Sequence, residues 1–163
     1  MKLKVVILAL IVTLQSCYLL SDDRSSILPE KIEVSDVYRN KISSGISEGC
    51  GAVIFTLTEE ILEEINNQGL IFFNDATRAR GSTRSNSRYY LYQRWQGTPL
   101  KQSANNTNFW AGMSCAKNLG LEESLYEEIV LAMRTTGSYY TGHYEGQLVV
   151  IPRLGLVVFS YAG

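Results

Sequence analysis

The sequence predicts an α+β domain: a mainly antiparallel sheet of about five strands with two or three helices packed on it. Three observations predict it. The tail carries two apolar runs, Leu148-Val149-Val150-Ile151 and Leu156-Val157-Val158-Phe159, separated by Pro152-Arg153-Leu154-Gly155. That pattern reads as a hairpin with a four-residue loop. Both faces of these runs are apolar, so the strands should lie centrally, with helices or another layer covering them. Finally, two stretches repeat apolar residues at helical spacing. Leu57, Ile61, Leu62 and Ile65 share one face, while Glu59, Glu60, Glu63, Glu64 and Asn66 turn away. Leu121, Leu125, Ile129, Ala132 and Met133 make a second stripe.

The remaining elements follow in chain order. Residues 18–49 hold Ser, Asp, Lys and Glu with scattered apolar residues, and read as a tether. Within it, Lys31-Ile32-Glu33-Val34 alternates as a short strand would. The compact domain is expected to begin near Cys50, with a strand at 52–55. Thr56 or Thr58 caps the first helix, Glu59 and Glu60 suit its positive end, and Gly69 stops it. Leu70-Ile71-Phe72-Phe73 reads as a buried strand, and 74–87 as a polar, arginine-rich loop. Residues 89–95 are rich in aromatics and read as a strand, ended by Gly97-Thr98-Pro99. After a polar loop at 101–108, a short helix is expected over 109–118 with Asn108 as cap. A longer one is expected over 121–135, ended by Gly137.

The composition is that of a folded chain, with 45% apolar and 19% charged residues. A net charge of −1 gives no bulk attraction for nucleic acid. The charges are unevenly placed. No acidic residue falls between Asp75 and Glu122, while seven basic ones do: Arg78, Arg80, Arg84, Arg88, Arg94, Lys101 and Lys117.

The first residues carry an address. Lys2 and Lys4 precede an uncharged run, 5–14, whose ten residues suit a signal peptide and are too few to span a bilayer, which needs about 20. Leu14-Gln15-Ser16-Cys17 follows. This stretch resembles the lipobox of bacterial lipoproteins, in which the cysteine is lipidated and becomes the new N-terminus. Leu14, Ser16 and Cys17 fit the pattern; Gln15 is larger than the residue usual at its place. The resemblance covers the first 17 residues and implies lipidation at Cys17. It further implies a bacterial envelope location, with Tyr18 after the cysteine pointing to the outer membrane facing the periplasm. A plain secretory peptide cut nearby would leave Cys17 an ordinary residue. The expected organisation is therefore a signal peptide over 1–16, the lipidated cysteine and tether over 17–49, and one globular domain over 50–163.

If Cys17 is lipidated, Cys50 and Cys115 remain, and export takes them into an oxidising compartment. A Cys50–Cys115 disulfide is the simplest pairing. The alternatives are two buried thiols, or a nucleophilic Cys115.

Catalytic signals are weak, and no catalytic residue is assigned. Gly45-Ile46-Ser47-Glu48-Gly49 spells a nucleophile elbow, but that motif needs a strand before the serine and a helix after it, and here a linker precedes and a strand follows. Gly112-Met113-Ser114-Cys115-Ala116 is a near match inside an expected helix. His143 is the only histidine, which makes a base for Ser114 or Cys115 conceivable and a zinc site unsupported. Neither a cofactor motif nor a metal-binding one is present.

The basic block carries more weight. Arg78, Arg80, Arg84, Arg88 and Arg94 stand beside Tyr89, Tyr90, Tyr92 and Trp95, and a second aromatic patch holds Tyr139, Tyr140, His143 and Tyr144. Arginine and aromatics are enriched where proteins bind proteins. The competing reading is a solvated loop whose arginines pair with the acidic helices. The leading expectation is a membrane-anchored binding module for another protein, without cofactor or nucleic acid. An immunity or inhibitor role against a cell-wall enzyme would suit its size and address. The alternatives are a small envelope hydrolase using Cys115 or Ser114 with His143, and a structural component of an envelope assembly.

Overall fold

The computed structural model describes residues 24–44, 49–81, 88–101 and 107–163. Six antiparallel strands form a single sheet: β1 (Val34–Ser44), β2 (Gly49–Leu57), β3 (Gln96–Gly97), β4 (Tyr139–Gly142), β5 (Gly146–Ile151) and β6 (Leu156–Ala162). Their order across the sheet is β1-β2-β6-β5-β4-β3. Three α-helices accompany them: α1 (Glu59–Gln68), α2 (Thr107–Asn118) and α3 (Glu123–Arg134). The domain is α+β, with one more strand than expected.

The tail hairpin sits at the centre. β5 and β6 pair from Gly146 with Tyr161 to Ile151 with Leu156. Between them Pro152–Leu154 makes a 3₁₀ turn and Gly155 adopts φ 65°, a left-handed value that suits glycine. Alternation along the strands then divides the core. Val53, Phe55, Leu148, Val150, Val157 and Phe159 enter one cluster, completed by Ile61 and Ile65 of α1. Ala52, Ile54, Val149, Ile151 and Val158 enter the other, against Met113 of α2 and Ile129 and Met133 of α3. Since successive side chains point to opposite faces, a strand apolar at every position needs a cover on both.

The expected Cys50–Cys115 disulfide is present. It fastens the start of β2 to α2, with Cα atoms 6.0 Å apart. α1 begins and ends as read: the Thr58 side chain accepts from the Ile61 amide, and Gly69 closes the helix at φ 58°.

Three expectations are corrected. First, the tether does not extend to residue 49. Residues 34–44 form an edge strand of 11 residues paired along β2, and Leu28 and Ile32 are fully buried in the core. The polar composition of β1 misled because the strand lies at the sheet's edge with little covering it: even Val37 and Tyr38 are exposed. Second, 70–73 is not a strand but part of a 3₁₀ turn, Gly69–Phe73. Phe72 and Phe73 enter the same core cluster. Neighbours in a strand would point to opposite faces, so the turn is what lets both rings in. Third, 89–95 forms no regular strand. Arg88–Tyr90 is a 3₁₀ turn, and the buried residues beyond it, Tyr92 and Trp95, are three apart and out of step with strand alternation. Its amides pair irregularly, Tyr92 donating to the Thr77 oxygen and Gln93 to that of Gly142. The second aromatic patch lies partly in β4, which holds Tyr139 and Tyr140 but not His143 or Tyr144.

Candidate binding cleft

The irregular 88–95 segment runs beside the β4–β5 turn, and between them lies an open cleft of about 410 Å³. Arg88, Leu91 and Gln93 form one wall, Gly142, His143 and Tyr144 the other, and Asn108 from the first turn of α2 closes one side. A Cβ at Gly142 would lie 2.6 Å from Gln93 Oε1, the movable end of a flexible side chain, so the two segments run close together here.

Cations and rings meet at the rim. The Arg88 guanidinium lies 3.6 Å from the centre of the Tyr144 ring and 5.7 Å from that of Tyr89. The Tyr89 and Tyr144 rings meet edge to face at 5.3 Å. The three side chains are exposed. A cation over an aromatic face gains about 0.5–1 kcal/mol in such a setting, enough to bias the orientation of the side chain. The Tyr89 hydroxyl donates to Glu145 at 3.3 Å. Arg88 has no salt-bridge partner among the described residues, whereas Arg39 pairs with Glu122 and Arg153 with Glu128.

His143 is built into the turn. A carbonyl can only accept, so Nε2–H donates to the Tyr89 oxygen at 2.7 Å, and Nδ1 accepts from the Glu145 amide at 3.4 Å. Its ring packs against those of Tyr92 and Phe159. Both nitrogens are occupied by main-chain groups. Cys115 is held in the disulfide and is no thiol nucleophile in this form. Ser114 is exposed on α2.

No family model, curated protein or solved structure matches the chain.

The sequence-predicted surface separates into different environments. Arg88, His143 and Tyr144 meet at the cleft. Tyr92 is buried, its hydroxyl donating to the Ile27 oxygen at 2.6 Å, and burial pushes its phenol far above the usual range. Tyr140 is buried on the opposite core face and donates to Gln96 Oε1 at 3.3 Å. Tyr90 is partly buried against the first cluster. Arg80 is turned inward: its guanidinium donates to the oxygens of Ile32 at 2.8 Å, Pro29 at 3.2 Å and Glu30 at 3.4 Å. Arg78 is exposed beside a separate hollow shared with Asp75 and Glu30, and Arg94 is exposed. Cys17, Arg84, and residues 45–48 of the elbow-like motif lie outside the described residues. Sequence reading missed Leu91, Gln93, Asn108 and Gly142, whose residue types carry no signal until three separate segments converge.

Among the described residues no helix is long and apolar enough to cross a membrane, and no group of three or more acidic, histidine or cysteine side chains could hold a metal.

Proposed function

We propose that this chain is a lipid-anchored envelope lipoprotein whose domain binds another protein at the Arg88–Tyr144 rim. One observation carries the reading: an exposed arginine, held over a tyrosine ring at 3.6 Å and without a salt-bridge partner among the described residues, at the mouth of a cleft. Protein interfaces favour arginine and tyrosine at their energetic centres. A pre-oriented guanidinium also loses less freedom when a partner arrives.

The anchor belongs to the same reading. Cys17 precedes Arg24 by seven residues, so lipid at Cys17 would hold the domain within about 25 Å of the bilayer surface. A partner would have to come to that layer, on the periplasmic side of the outer membrane in this reading. Inhibition or immunity directed at an envelope enzyme is compatible with such a leash.

Site-specific photo-crosslinking in cells tests the interface. A photoreactive residue at Tyr144 should give a discrete protein adduct that Arg88→Ala weakens, while the same residue at Glu127, exposed on α3, gives none. Equal adducts at both places, or none at either, would overturn the reading. Mass spectrometry of the mature product tests the anchor: its first residue should be an acylated Cys17, and an unmodified thiol there would sink that half of the proposal.

A further inference from the structure

The cleft's own chemistry narrows what it can receive. Among the described residues that line it, only Arg88 is a fixed charge and none carries a carboxylate. Glu145, nearby in the turn, accepts from the Tyr89 hydroxyl. Two amide-bearing residues, Gln93 and Asn108, line the same space. Leu91 and Tyr144 add apolar wall. A cation, two side-chain amides and a ring around about 410 Å³ suit one extended stretch of peptide better than a wholly apolar ligand.

Stacking decides which part of the guanidinium is on offer. The guanidinium carbon lies 3.6 Å from the Tyr144 ring centre, and the N–H edge makes no hydrogen bond or salt bridge among the described residues. That edge matches a carboxylate in two-point geometry, which an ammonium cannot reproduce. The other exposed pairings on the surface show the preference already satisfied: Arg39 and Arg153 each hold a glutamate, at 2.7 and 2.6 Å. Arg88 holds a ring instead.

We infer that this cleft is a carboxylate-recognition site for an acidic peptide segment of the partner. The carboxylate would sit on the Arg88 fork, and the Gln93 and Asn108 amides would hydrogen-bond the adjoining main chain. The inference rests on the protein-binding reading above and specifies the partner's chemistry. The carboxylate could come from a side chain or from a chain terminus, and the test separates the two.

Calorimetric titration of the full-length processed protein in detergent micelles would use three hexapeptides. One is blocked at both ends and carries a single glutamate. The second replaces that glutamate by glutamine. The third is the glutamine peptide with a free C-terminal carboxylate. The first or the third, or both, should bind at least about tenfold more tightly than the second. Whichever binds names the source of the carboxylate. Arg88→Lys keeps the charge but loses the fork and should weaken that binding about tenfold. Arg88→Gln should abolish the preference for a carboxylate, while Arg134→Gln, at an exposed position on α3, should leave it unchanged. Equal affinity for all three peptides, no binding of any of them, or an Arg88→Gln variant indistinguishable from the parent would overturn the inference. If the crosslink at Tyr144 persists while the peptides fail, the carboxylate inference alone falls. If both fail, the binding reading falls with it.

Discussion

The Tyr92 hydroxyl donates to the carbonyl oxygen of Ile27 at 2.6 Å, across 65 residues of sequence. This bond closes the segment before β1 over the first core cluster, where Leu28 and Ile32 are fully buried. It explains why the folded unit begins well before Cys50.

Tyr92→Phe should therefore act in two ways. At neutral pH it leaves the Ile27 oxygen without its donor, a loss of about 1 kcal/mol in chemical denaturation. At alkaline pH the variant should compare better. Burial raises the Tyr92 pKa in the folded state above the ordinary phenol value of about 10. The unfolded chain then releases this proton first, so the stability it carries is full below about pH 10 and is lost as pH rises beyond. The variant lacks that group, and its stability should fall less between about pH 9 and 11. Some slope remains, because burial also raises Tyr161. Identical slopes in parent and variant would contradict the account.

Arg80 and Arg94 stand in one basic stretch yet should behave differently. Arg80→Ala removes a charged donor from the Pro29, Glu30 and Ile32 oxygens, a cost of about 2 kcal/mol. Arg80→Lys should recover only part of it, since all three oxygens surround Nη2 and the lysine ammonium sits one bond short of that position. Arg94→Ala, at an exposed position, should stay within about 0.5 kcal/mol of the parent. Urea unfolding of the three variants measures this, and equal destabilisation by Arg80→Ala and Arg94→Ala would refute it.

The disulfide should matter to stability. Its cysteines are 65 residues apart, and the chain-entropy estimate for such a loop is about 4 kcal/mol. The double replacement Cys50→Ala with Cys115→Ala should lower the unfolding free energy by that order, read from the shift of the denaturation midpoint. Peptide mapping without reductant should recover the two cysteines in one linked fragment. Recovery as separate free thiols would be incompatible with the fold as described.

Gly112 marks the closest approach of α2 to the sheet. An added Cβ would lie 2.5 Å from the Tyr161 oxygen and 2.6 Å from its nitrogen, and it would strike Ser160 Oγ, which donates to the Phe109 oxygen. Main chain cannot yield as a flexible side chain would, so Gly112→Ala should cost about 3 kcal/mol. Gly97→Ala, with nothing within 4 Å of its Cβ, should be near neutral in the same thermal melt. A Gly112→Ala protein as stable as the parent would mean that the helix is not seated here.

The sequence by itself determined the centre of this protein. Apolar residues on both faces of 148–151 and 156–159 demanded a buried hairpin, the stripes around Ile61 and Ile129 demanded helices to cover it, and the two cysteines beyond Cys17, read as those of an expected export substrate, pointed to one disulfide. These are short-range signals, written in the spacing of neighbours. Only the tertiary structure decided that Phe72 and Phe73 share one core, that Arg80 turns inward while Arg88 stays out over Tyr144, and that Gln93 and Asn108 line one cleft. The physical reason is that an arginine's or an amide's role depends on which distant segment lies opposite it, and burial, carbonyl oxygens and aromatic faces come from chain dozens of residues away.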